Sequence, residues 1–147
     1  ARLPLVVAST RYAVLATRIK NELNENSKLP AKIEIAPELF HNDIVGWEAS
    51  TFIDRALIVE SDLVYEREIL DFYAEYLQER GFEVTKLRLK GRSILARYLY
   101  GFLVAGLASV KIAKMRGIDP LATESIARYK ELVRVLEESI RRNVVEN

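Results

Sequence analysis

The chain has 147 residues, 22 Lys and Arg against 21 Asp and Glu, one His, no Cys, and 50% hydrophobic residues. At this length roughly 68–70% of the unfolded surface can be buried without staples, and the missing cysteines exclude a disulfide framework, an iron–sulfur cluster, a thiolate zinc site and a Cys nucleophile. A lone His excludes a multi-His metal centre within one chain, and a net charge of +1 leaves no electrostatic footprint for nucleic acid or an anionic membrane.

Leu5-Val6-Val7-Ala8 is a short apolar run between Pro4 and Ser9-Thr10-Arg11, the pattern of a buried parallel strand. Ser9 or Thr10 then stands where a helix cap belongs. Tyr12, Leu15, Ala16, Ile19 and Leu23 share one helical face, and Asn24, Asn26 and Pro30 end that helix. Lys32 to Ala36 alternates as a second strand, while Leu39 to Trp47 is too short and irregular to assign. Arg55 to Glu60 reads as a third strand. A helix from about Leu63 to Arg80 follows, with Gly81 as its stop. Phe82 to Leu89 alternates as a fourth strand, and Ser93 can cap the next helix. Ile94 to Met115 is apolar on nearly all sides, which predicts a buried helix. Gly117-Ile118-Asp119-Pro120 separates it from a last helix with a stripe at Ile126, Tyr129, Val133, Leu136 and Ile140.

Strands alternating with crossover-length helices predict an α/β three-layer αβα sandwich with a mostly parallel sheet, as one domain over residues 1–147. In such sheets ligands bind outside the carboxyl ends of the strands. The loops Ser9–Arg11, Pro37–Trp47, Glu60–Val64 and Lys90–Ser93 are the candidates for that edge. No apolar run approaches the ~18–20 residues of a bilayer span, and no signal-peptide pattern reads at the N-terminus. The chain opens Ala1-Arg2-Leu3 without Met, which points to a processed product or part of a longer polypeptide.

Three places stand out chemically. Glu25 lies in Asn24-Glu25-Asn26-Ser27-Lys28, about 200° from the apolar stripe of its helix. A carboxylate near a helix C-terminus is badly placed for the macrodipole, though a solvated acid is the blander explanation. The only His and the only Trp, His41 and Trp47, share one loop after a strand. A lone His is more often structural than catalytic, but imidazole is the side chain suited to proton transfer at neutral pH. Thr123 and Lys130 lie within about 20° of each other on the last helix, so Lys130 can point along a seam. The blander alternative is a capping Thr and a snorkelling Lys. No GxGxxG, GxxxxGK[ST] or GxSxG sequence is present. Composition and spacing alone reach an α/β domain with a candidate Glu/His/Lys polar site.

The segments Asn24-Glu25-Asn26-Ser27-Lys28 and Pro37-Glu38-Leu39-Phe40-His41-Asn42-Asp43-Ile44-Val45-Gly46 resemble the N-E-N-x-K and P-E-L-x-H-N-[ED]-I-V-G motifs of archaeal-type bifunctional phosphoglucose/phosphomannose isomerases. Gly117-Ile118-Asp119-Pro120 and Ile126-Ala127-Arg128-Tyr129-Lys130 resemble that family's closing G-x-D-P and I-x-x-x-K pattern. The resemblance covers the C-terminal half of the family's polypeptide. It implies a sugar isomerase (SIS, flavodoxin-like) fold, two such domains per polypeptide, a homodimer, and a cytoplasmic enzyme of carbohydrate metabolism using no cofactor and no metal. It implies interconversion of glucose 6-phosphate or mannose 6-phosphate with fructose 6-phosphate through a cis-enediol. Glu25 matches the general base, His41 the ring-opening residue that can come from the partner subunit, Lys130 a lysine near the ring oxygen, and Thr123 a threonine that leaves room for both epimers. The family holds the phosphate with a Ser/Thr-rich loop and an arginine of the N-terminal SIS domain. Ser9-Thr10-Arg11 does not match that loop, although an anion could bind there. Asp43 stands where Glu is common.

Two further readings compete with the C-terminal half of an isomerase. One is a non-catalytic SIS module that binds a sugar phosphate or a protein partner, and the other is an unrelated flavodoxin-like protein. The isolated chain is expected to show little activity without the missing phosphate anchor. The helix around Tyr98–Val110 and the aromatics Tyr65, Tyr73 and Tyr76 are expected to provide a self-association surface.

Overall fold

The computed structural model describes residues 3–50, 52 and 54–145, with side chains through residue 141. Four strands, β1 (Leu5–Ser9), β2 (Lys32–Ala36), β3 (Arg55–Val59) and β4 (Glu83–Leu87), form one sheet in the order β2-β1-β3-β4. All three pairings are parallel. The helices are α1 (Ala13–Glu25), the short α2 (Asp43–Gly46), α3 (Val64–Glu79), α4 (Ile94–Met115) and α5 (Glu124–Val145).

The period-2 side-chain alternation of the strands divides the core into two layers. Leu5, Val7, Ala56 and Ile58 face α3 through Leu70, Tyr73, Ala74 and Leu77. Val6, Ala8 and Val59 face the opposite way, onto Tyr12 and, in α1, Leu15, Ala16 and Ile19, with Ala105 of α4 beside them. This is the expected three-layer α/β architecture. Connections are short, and Gly81 (φ 88°) adopts the left-handed turn that stops α3. Ser93 caps α4 as expected, its Oγ accepting from the Ala96 N–H at 3.2 Å.

Several local expectations differ. Ser9 and Thr10 cap no helix. Ser9 Oγ donates to Glu66 Oε2 (2.6 Å) and Thr10 Oγ1 to the Ala36 carbonyl (3.1 Å). The unassigned stretch 39–47 contains a single 3-10 turn at Glu38–Phe40 and then α2. Tyr73 is buried, and Tyr76 donates to the Ile44 carbonyl at 3.1 Å, so both hold the core rather than a surface.

The largest correction concerns α4. Its Gly101, Ala105, Ser109 and Ala113 face is buried, but Leu95, Leu99, Leu103 and Leu107 are each about 60% exposed. Both rows advance by four residues, so they run along different sides of one helix. Small residues let α4 approach α1 closely, and the leucine row is left outward. The helix is also long and apolar enough by length and composition to cross a membrane, which corrects the expectation that no run reaches that length. Helices packed on a sheet protein's core can pass the same test, and one face here lies on α1. The stripe of α5 is likewise outward, with Tyr129, Leu136 and Ile140 all exposed.

Candidate active site

The Asn24–Lys28 segment ends α1 in a hook. Lys28 takes a left-handed backbone (φ 49°), which costs a non-glycine residue about 1–2 kcal/mol. Leu29 N–H closes the turn on the Leu23 carbonyl at 3.0 Å. The Lys28 ammonium contributes in return. Nζ donates to the Glu25 carbonyl (2.6 Å) and the Pro120 carbonyl (3.2 Å), 92 positions away in the chain. A cation here also suits the negative end of the helix dipole.

The rest of the hook is latched to α4. Asn26 Nδ2 donates to Ser109 Oγ (2.8 Å) and Glu22 Oε2 (2.6 Å). The fully buried Ser27 donates through Oγ to the Ser109 carbonyl (2.7 Å), and Arg116 Nη1 donates to the Ser27 carbonyl (2.6 Å). Buried polar groups need partners, and this segment supplies them all within the fold. Glu25, between these anchors, is left exposed.

A cleft of about 370 Å³ opens between this hook and the start of α5, and Asn21, Glu25, Lys28, Thr123 and Ile126 line it. A cleft of about 680 Å³ adjoins it, sharing Asn24, Lys28 and Thr123 and extending to Arg128. The structure thus brings Glu25 and Thr123 to one place. Lys130 is exposed two turns along α5 and does not line either cleft. His41 is also outside them. It ends the 3-10 turn Glu38–Phe40, exposed, with its N–H on the Glu38 carbonyl at 2.9 Å. A third, larger space of about 900 Å³, mostly apolar, lies between α4 and the sheet, at the amino ends of β1 and β3 and along β4, and contains none of these four residues.

The carboxyl edge of the sheet carries a different group. The Ser9–Arg11 and Glu60–Val64 loops meet there beside the start of α4. Arg11 pairs with Asp62 (2.8 Å), Arg97 pairs with the same carboxylate, and Tyr12 donates to it at 2.7 Å. Although partial burial would raise the Asp62 carboxyl, the Tyr12 and Arg11 bonds hold it down to about 2. Ser9 and Ser61 both donate to Glu66. The side chains expected to receive an anion at this edge are therefore engaged within the chain, Ser9 and Arg11 by carboxylates and Thr10 by the Ala36 carbonyl. Pro37–Trp47 leaves the edge altogether and runs back along β2, where Asp43 reaches Lys32 at 2.8 Å. Among the described residues no group of three or more His, Asp or Glu side chains is gathered as a metal site.

Residues 1–133 match the model of the bacterial phospho-glucose isomerase C-terminal SIS domain. The chain belongs to this family. A bifunctional phosphoglucose/phosphomannose isomerase of Aeropyrum pernix is 39% identical over 122 residues, covering 79% of this chain and 37% of the relative. The corresponding isomerase of Aquifex aeolicus is 34% identical over 133 residues, covering 88% and 42%. A D-glucosamine-6-phosphate 4-epimerase of Sulfolobus acidocaldarius is 31% identical over 133 residues, covering 88% and 39%. The chain thus spans about two fifths of the length of these relatives. In fold, this SIS domain superposes on a glucose-6-phosphate isomerase like protein from Thermus thermophilus with a TM-score of 0.69 at 18% identity, covering 88% of this chain and 43% of that one.

Sequence reasoning included Lys28 in a motif without assigning it a task. Its signal is a non-glycine residue directly after a helix end, where the chain must turn. Glu34, inside β2, carried no signal at all.

Proposed function

We propose that this chain is one SIS-type domain forming the C-terminal half of a sugar-phosphate isomerase, which interconverts glucose 6-phosphate or mannose 6-phosphate with fructose 6-phosphate. The observation that carries this reading is the meeting of Glu25 and Thr123 in one cleft, joined by the Lys28 bridge to Pro120. Those residues come from the two ends of the family's motif set, and the identity to named isomerases supports the substrate class.

In this mechanism Glu25 removes the proton from C2 of the open-chain aldose. As C2 loses its proton, O1 gains one to give the cis-enediol; the carbon-bound proton then returns to C1 while the O2 hydroxyl gives its proton up, so the carbonyl moves from C1 to C2. A carboxylate suits the task because one group takes and returns the same proton. Glu25 is exposed in the chain and stands on a latched hook, free to meet substrate without moving its backbone. His41 and Lys130 assist ring opening and the ring oxygen, and Thr123 accommodates both epimers. His41 lies outside the Glu25 cleft, which favours its delivery from the partner subunit of a homodimer. The phosphate dianion is held by an N-terminal SIS domain of the same polypeptide. The pairing of Arg11 with Asp62 is consistent with that, since this guanidinium is already held by a carboxylate of its own chain. The outward rows of α4 and α5 are the faces assigned to these partners.

The test is a coupled assay of fructose 6-phosphate formation from both epimers, using the longest polypeptide the gene encodes. Glu25→Gln is expected to lower kcat by about 100-fold or more while substrate still binds by calorimetry. Turnover retained by Glu25→Gln refutes the assignment.

A further inference from the structure

Glu34 is a charged residue in the middle of β2 with a fully buried side chain. It lies on the α3 side of the sheet, the same face as Ala36. A buried carboxylate is tolerated when donors surround it. Here Tyr73 OH donates to Oε2 at 2.6 Å, and Trp47 Nε1 and Lys32 Nζ donate to Oε1 at 3.1 and 2.6 Å. Burial, together with the Glu34 carboxylate, pushes the Tyr73 hydroxyl well up. Burial alone would lower the Lys32 ammonium, but Asp43 and Glu34 together raise it.

These partners come from three places: helix α3, the start of β2, and the far end of the segment that carries His41. Lys32 extends the grip to Asp43 at 2.8 Å and lies over the Trp47 ring, 5.1 Å from its centroid. On the near side of His41, Leu39 is fully buried and Phe40 meets Tyr73 edge-on with centroids 5.7 Å apart. His41 therefore projects from a short span whose two ends are both tied, directly or through Tyr73, to one carboxylate.

We propose that Glu34 is a positioning residue for His41, setting where the imidazole stands by clamping Trp47, Tyr73 and Lys32–Asp43 to β2. This rests on the reading of His41 as a functional group, and it adds a residue that no motif contains. A carboxylate suits the role because three donors from separate elements converge on its two oxygens. An apolar residue there would fill the space but leave the buried Tyr73 hydroxyl and Trp47 N–H without their acceptor, and Lys32 with Asp43 alone.

The chain holds one His and one Trp, so both respond without assignment ambiguity. The experiment compares wild type with Glu34→Gln, which is nearly isosteric, and with Tyr73→Phe, which removes one donor and keeps the ring. Far-UV circular dichroism establishes folding, and the His41 imidazole resonances are recorded by NMR at fixed pH. In the full polypeptide, kcat and KM are measured with the ring-closed sugar phosphate. The expected result is a folded variant with shifted or split His41 resonances and about a tenfold loss in kcat, with KM within about twofold, since a misplaced group costs turnover more than binding. Unmoved His41 resonances and unchanged kcat in folded Glu34→Gln overturn the proposal. If Glu34→Gln does not fold, the same result in Tyr73→Phe overturns it. His41→Ala separates the two ideas. Should it leave turnover intact while Glu34→Gln still displaces the imidazole, the clamp stands and the catalytic reading of His41 falls.

Discussion

The approach of α4 to α1 depends on Gly101, and substituting it tests how tightly the two helices are set. A Cβ at residue 101 would stand 2.5 and 2.8 Å from the two methyl carbons of Leu15 and 3.2 Å from its Cγ. Ordinary carbon contacts are about 3.5–4.0 Å, so something must move by about 1 Å. Leu15 is fully buried and cannot swing into solvent, which leaves a shift of α4. Overpacking of this kind costs about 1–3 kcal/mol, offset in part by up to about 1 kcal/mol from replacing a mid-helix glycine. With overpacking in the middle of that range, about 2 kcal/mol, the net expectation for Gly101→Ala is a loss of about 1–2 kcal/mol, or roughly 2–8 °C in Tm for a chain of this size. Gly106, in the same helix, is the control. A Cβ there meets nothing nearer than Glu22 Oε2 at 4.0 Å, so Gly106→Ala should gain up to about 1 kcal/mol. Urea melts followed by circular dichroism measure both. A Gly101→Ala variant as stable as wild type, or both variants moving in the same direction, refutes the close-packing argument.

Two other expectations are open to measurement. Asp62 has a folded-state pKa of about 2, below its ordinary value of 3.8. Its stabilising contribution is therefore present above about pH 4 and is lost as the pH falls through 4 to 2. Screening at this partly exposed site holds that contribution to about 1 kcal/mol. Asp62→Asn should be less stable than wild type at pH 7, the gap closing near pH 2, and a constant gap in parallel urea melts would contradict this. The outward leucines of α4 predict self-association, so sedimentation velocity should show a concentration-dependent dimer that Leu99→Glu with Leu103→Glu abolishes. A strictly monomeric wild type at high concentration counts against that face as an interface.

Much of the scaffold is legible in the residues because strand and helix periods differ. The Lys32–Ala36 strand and the Ile94–Met115 helix have the expected limits. The orientation of α4 was not read from its overall apolarity, although the four-residue spacing of Gly101, Ala105, Ser109 and Ala113 marks the packed face. Alternation in β2 hides Glu34, because it treats the polar position as the wet one. With three layers both faces of β2 are covered, so a polar side chain must be buried with partners supplied from Trp47 and Tyr73. Those partners are distant in sequence and no spacing rule reaches them. The same holds for Glu25 and Thr123. Their meeting depends on how the hook and the start of α5 pack, and only the resemblance of the motifs suggested it beforehand.

The Ser27–Ser109 and Asn26–Ser109 bonds fasten the Glu25 hook to a helix whose opposite side faces outward. That helix runs for 22 residues, about 33 Å at 1.5 Å per residue. Anything that seated on the leucine row would therefore press on the same helix that holds the Asn24–Lys28 hook in place.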